Sequence, residues 1–208
     1  LEKQASVPRY FKNKTKKTGM VYEHGHPYFK EFSKGQLKQL KAVDNYNMKS
    51  LRDIYSRTDK LTDEPKKLAS LEVFTSWFKH KATLSKANNE EFFYKPKAVP
   101  GTFVTFDKEL YRKTATGRKY LKEKRYQYVS HMEETLIDPD EVWSQYDLRK
   151  HGALPDQLNV FLKFYKGLPF AVVTKLDKSG KIRIVSFYQA NSVDRAADFR
   201  KGILLYRK

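Results

Sequence analysis

Lys163, Tyr165, Ser186, Arg200 and Tyr206 are of the types that suit work on a phosphodiester. Cations offset the charge that builds on phosphorus, and hydroxyls hold the phosphate or relay a proton. All five fall in or beside runs with strand character: LNVFLKFYK, KIRIVSFY and GILLYRK. In the first run, period two puts Leu158, Val160, Leu162 and Phe164 on one face. If those four meet the core, Lys163 and Tyr165 project from the opposite face, and Ser186, Arg200 and Tyr206 lie around the same sheet.

A second group is the acidic island EETLIDPDEVW, which carries Glu133, Glu134, Asp138, Asp140 and Glu141. Asp138 precedes Pro139, and Glu141 follows three residues after Asp138. That order is an N-cap, a proline at the first helical position and a capping-box acceptor. It predicts a helix starting at Asp138, with Val142, Trp143 and Tyr146 on its packing face. Glu141 stays a functional candidate as well, because a capping glutamate can also point into a cleft.

Acids are the minority. The 208-residue chain has a net charge of +18, with 21 Lys and Arg against 11 Asp and Glu in residues 1–100 and 21 against 13 in residues 101–208. Basicity spread over the whole chain makes a field that attracts phosphate backbones or acidic partners. There is no cysteine, which excludes disulfides and thiolate metal sites. Glu23, His24 and His26 cluster in YEHGHPYF, but no second ligand group accompanies them, so Gly25 and Pro27 are read as turn residues and no metal or other cofactor is expected. No apolar run is long enough for a membrane span. The chain begins at Leu1, and we expect a larger parent protein N-terminal to it; GILLYRK reads as a strand that closes the chain.

Elements must position these groups. Residues 1–35 read as an extended arm with a basic KNKTKK run. Helical spacing covers 47–57 and 65–80, where Leu68, Leu71, Phe74, Trp77 and Phe78 make a face better suited to a core than to base stacking. Pro96 and Pro100 punctuate a loop, which divides a basic, mostly helical region (1–100) from an α+β domain (101–208). In the second part, TFVTF is a short strand and 107–132 is helical. Two strands joined at DKSG, a helix capped by Ser192 and a last strand follow the 158–166 strand. The expected fold is α+β, with helices on one face of a four-stranded antiparallel sheet and the other face open.

Residues 102–208 resemble the phage-type nuclease branch of the barnase–EndoU–colicin–RelE superfamily. The resemblance rests on Thr135, Leu136 and the Asp138–Trp143 run, then on Arg200, Gly202, Leu204, Leu205 and Tyr206 near the end of the chain. It implies a metal-independent ribonuclease toxin, of the kind found at the ends of phage head-morphogenesis proteins and polymorphic toxins. In that chemistry the RNA 2′-OH attacks its own phosphate to give a cyclic phosphate and a free 5′-OH. His131, the histidine nearest the first motif, and Glu141 are the candidate acid and base. The implied partners are RNA (tRNA among the candidates) and an acidic immunity protein. The implied location is the cytoplasm of a target cell after delivery or secretion, or a phage particle. A non-catalytic nucleic-acid-binding or phage structural module and a DNA-preferring nuclease are the competing readings, since all three want a basic surface.

Overall fold

A strand with bulky residues on both faces can be buried on both, and LNVFLKFY sets Phe161, Lys163 and Tyr165 behind its Leu158, Val160, Leu162 and Phe164 face. The computed structural model describes residues 9–11, 19–21, 46–85, 88, 90–147, 156–177 and 181–208. Strands β1 (Arg9–Phe11) and β2 (Gly19–Val21) pair antiparallel. The Glu23, His24 and His26 group and most of the expected arm lie outside the described residues.

From residue 46 the chain runs α1 (Leu51–Tyr55), α2 (Leu71–Leu84), β3 (Glu91–Tyr94), β4 (Val104–Asp107), α3 (Lys108–Thr116), α4 (Arg118–Lys122) and α5 (Val129–Ile137). Then come β5 (Glu141–Asp147), β6 (Asp156–Phe164), β7 (Pro169–Leu176), β8 (Ile182–Gln189), α6 (Val193–Ala196) and β9 (Ile203–Arg207). Strands β3 to β9 form one sheet in the order β3-β4-β8-β7-β6-β5-β9, antiparallel except where β4 runs parallel to β8. The fold is α+β, but the sheet is mixed and seven-stranded where a four-stranded antiparallel one was expected. At four residues each, β3 and β4 are too short for period two to be legible. They pair with each other across the division expected near residue 100.

The larger correction is β5. Asp138 ends α5, its N–H donating to the Glu134 carbonyl at 2.9 Å, and Glu141 opens a strand flanked by β6 and β9. A capping signal contributes only about 1 kcal/mol. Neighbouring residues of a strand point to opposite faces, so Val142 and Trp143 are each buried in a different core. Burying two such side chains contributes more, about 2 kcal/mol apiece. Tertiary pairing therefore overrides the local helix signal.

One core lies between the sheet and α2 to α5, built on Phe74, Phe78, Phe92, Phe106, Leu136, Val142, Phe161, Phe170 and Phe187. The aromatics of α2 are core, as expected: Trp77 meets Phe92 and Phe106 edge-on, each at 5.4 Å. The helix starts later than its spacing suggested, at the Ser70 cap, whose hydroxyl accepts from the Val73 N–H at 3.3 Å. The opposite face is not open. Residues 46–62 and α6 cover it, packing Met48, Leu51 and Ala196 against Trp143, Val160, Leu162 and Phe164. The predicted alternation in β6 holds, but Lys163 and Tyr165 share the Phe161 side, toward α5, and are buried. Ser192 caps α6 as expected, accepting from the Arg195 N–H at 3.2 Å.

Candidate active site

Half of one strand edge is left without a neighbour. Among the described residues β4 meets β8 only at Ile182 and Arg183, so β8 from Ile184 onward has no strand on that side. The register slips at the same place: Thr174 faces Ile184 but Val173 faces Ser186, leaving Val185 as a bulge. The Val185 carbonyl accepts instead from Lys113 Nζ at 3.2 Å and Tyr120 OH at 3.3 Å. Side chains from the α3–α4 segment thus stand where a strand would have been.

That segment is shaped to deliver them. A Cβ at Gly117 would sit 2.3 Å from the Lys113 carbonyl, so only glycine allows the tight step from α3 to α4. Lys124 takes a left-handed conformation (φ 47°) and starts a 3-10 turn at Arg125–Tyr128. The Arg125 side chain is 6% exposed, and its guanidinium is fixed on several sides. Nε donates to Glu123 Oε2 at 2.5 Å, and Nη1 donates to Ser186 Oγ at 2.7 Å. The guanidinium carbon lies 4.0 Å from the centre of the Tyr120 ring and 5.0 Å from that of Tyr188. Tyr120 OH is also 3.1 Å from Ser186 Oγ. Nη2 has no hydrogen bond among the described residues. A buried, oriented cation with donors to spare fits an oxyanion such as a phosphate.

Arg125 opens into a groove of about 1070 Å³. Lys113, Lys119, Arg125, Lys175 and Arg195 line it against two carboxylates, Glu123 and Asp198. Tyr188 and Phe199 meet in it edge-on at 5.4 Å, giving an aromatic wall beside the cations. Positive charge, hydroxyls, one carboxylate held by arginine and aromatic rings together suit a nucleic-acid strand: phosphates on the cations, bases against the rings.

The residues singled out in the sequence are scattered by the fold. Ser186 lies in the groove. Glu141 and Arg200 form a buried bidentate pair, Nε to Oε2 at 2.8 Å and Nη2 to Oε1 at 2.7 Å, with Trp143 Nε1 donating to the same Oε2 at 2.9 Å. They face a separate cavity of about 530 Å³. Lys163 reaches the end of α5, with Nζ 2.6 Å from the Asp138 carbonyl and 3.0 Å from its carboxylate. The His131 ring is packed among Tyr128, Tyr165 and Phe170. Burial pushes its pKa below the ordinary value, and the Glu64 carboxylate, 3.7 Å away, is too far to hydrogen-bond it. Tyr165 OH donates to the His131 carbonyl at 3.4 Å, and burial pushes the phenol well up. Tyr206 pairs with Val142 and is half-buried against the α-helical side of the sheet.

Arg125, Tyr120, Glu123 and Tyr188 were not legible as a group. The available signal was the six-residue spacing of Lys113, Lys119 and Arg125, with Tyr120 between them and Tyr126 and Tyr128 just after. A spacing of six shares no face of one continuous helix, so it gathers only because Gly117 and Lys124 break the helix twice.

A protein family described as phage-Barnase-EndoU-ColicinE5/D-RelE like nuclease2 matches residues 78–207. The match starts in α2, earlier than the resemblance over residues 102–208 suggests. No curated protein and no solved structure matches the chain. Every residue lining the groove lies within 78–207, whereas nine of the fifteen lining the separate cavity precede residue 78.

Proposed function

Because the chain belongs to the phage Barnase–EndoU–ColicinE5/D–RelE-like nuclease family, we propose that it is a metal-independent endoribonuclease and that the β8-edge groove is where it cuts. The observation that carries this reading is Arg125: pinned by Glu123 and Ser186, stacked on two tyrosines, and opening into a cationic groove that lies wholly within the family match. In the proposed reaction the ribose 2′ oxygen bonds to phosphorus and the bond from phosphorus to the 5′ oxygen breaks. The 2′ proton passes to the Glu123 carboxylate, and the leaving 5′ oxygen takes a proton from solvent. Arg125 holds the non-bridging oxygens as their charge grows, and Ser186 keeps its guanidinium in place. Lys113 and Lys119 anchor neighbouring phosphates. This route requires RNA rather than DNA, because its nucleophile is the substrate's own 2′-OH. As part of a delivered toxin or phage protein, such a domain would need a masking partner, and an acidic immunity protein suits the groove's charge.

The test is incubation of total RNA with the protein in EDTA, followed by end-group analysis. Cyclic-phosphate 3′ ends and free 5′-OH ends are expected. Arg125→Ala should cut about 10²–10³ more slowly, the usual cost of one transition-state donor, and should relieve toxicity on expression. Cleavage that requires a divalent ion, or that leaves 5′-phosphates, would refute the proposal.

A further inference from the structure

The 530 Å³ cavity beside Glu141 and Arg200 has features that the nuclease reading leaves unused. Its volume lies within the range of small-molecule sites. Its floor is apolar, made by Met48, Ile54 and Phe164. Arg57, Lys60 and Arg207 stand at its rim, exposed and without an ion-pair partner among the described residues. The buried pair fixes the back wall, because Arg200 Nη1 also donates to the Lys49 carbonyl at 2.9 Å and so ties residues 46–62 across the sheet. At one side the Asp140 carboxylate accepts the Phe164 N–H at 2.7 Å through one oxygen. No hydrogen bond engages its other oxygen among the described residues, and the side chain lines the cavity.

An apolar floor, a rim of unpaired cations and one inward carboxylate acceptor together describe a ligand with a flat, weakly polar body, an amino donor and an anionic end. We propose that this cavity binds a nucleoside phosphate, with the phosphate on Arg57, Lys60 and Arg207 and the base over Met48, Ile54 and Phe164. The ligand is either one nucleotide of a bound RNA strand or a free mononucleotide; the recognition chemistry is the same. The site does not depend on where the chain cuts RNA. Most of its lining comes from residues outside the family match, although its back wall and Asp140, Phe164 and Arg207 lie within it.

Calorimetric titration of the full chain with AMP, and separately with adenosine, tests the proposal. AMP is expected to bind, and the Arg57→Ala/Lys60→Ala double variant to weaken it by about tenfold or more, as loss of charge-assisted hydrogen bonds to phosphate requires. Adenosine should bind more weakly than AMP and respond little to the double variant. A short 2′-O-methylated oligonucleotide, which resists cleavage, separates the two sources. If the double variant also weakens the oligonucleotide and AMP competes with it, the pocket holds a nucleotide of the strand; if the oligonucleotide is unaffected, the ligand is free. AMP binding that is absent, equal to adenosine binding, or unchanged in a variant with parental melting temperature would overturn the proposal.

Discussion

Glu141→Ala should unfold this protein far more readily without touching its chemistry directly. Glu141 accepts three hydrogen bonds, two from the Arg200 fork and one from the Trp143 indole, and both acid and arginine side chains are under 5% exposed (4% and 3%). Removing one partner of a buried pair costs about 3–5 kcal/mol, because the other charge stays buried alone. Arg200 keeps its bond to the Lys49 carbonyl and borders a cavity that admits water, which favours the lower end, about 3 kcal/mol. The orphaned indole N–H adds about 1 kcal/mol. The sum, roughly 4 kcal/mol, corresponds to a fall in melting temperature of about 10–15 °C for a chain of this size. Urea unfolding at constant m measures it. Glu141→Leu combined with Arg200→Met removes both charges and should cost less than either single change, with a coupling of about 2 kcal/mol or more. A Glu141→Ala protein that is as stable as the parent but no longer cuts RNA would refute the structural role and return Glu141 to the chemistry.

Gly202→Ala should be destabilising by at least about 2 kcal/mol, seen as lost solubility or a lowered urea midpoint. The glycine sits at φ 85°, and a Cβ would lie 2.1 Å from the Ser144 carbonyl. Burial lowers the His131 pKa below 6.5, so the unfolded chain takes up a proton that the folded one resists. Stability should therefore be full above about pH 6.5 and fall as pH drops through the lowered folded value. Urea midpoints across that range should flatten in His131→Phe, and an unaltered slope would show that the ring is not buried neutral. RNA affinity should fall by about 50-fold between roughly 50 and 200 mM salt if about four phosphates of a single strand are neutralised. A filter-binding series measures this, and a flat line would mean that the groove's charge does not engage a phosphate backbone.

What the sequence settled unaided were properties that depend on composition and on strong local periods. The charge of +18 and the absence of cysteine needed no coordinates. The β6 alternation, the pairing of β7 with β8, the Ser192 cap and the aromatic core face of α2 follow from spacings of two or of three to four, or from a cap beside an apolar run. The family was legible too, in the Asp138–Trp143 run and in the glycine of the last motif. Gly202 is there because only glycine tolerates that φ so close to the Ser144 carbonyl. Contacts distant in sequence were decided by the tertiary structure alone. Asp138, Pro139 and Glu141 look like a helix start until β6 and β9 offer two ladders and Val142 and Trp143 two separate cores. Which face of β6 meets the helices could not be read from a strand whose two faces are equally bulky, so Lys163 and Tyr165 were placed on the wrong side. The groove is the furthest from reach. Arg125 and Ser186 are 61 residues apart, and they meet only because β4 stops short and leaves the β8 edge open to the segment after Gly117.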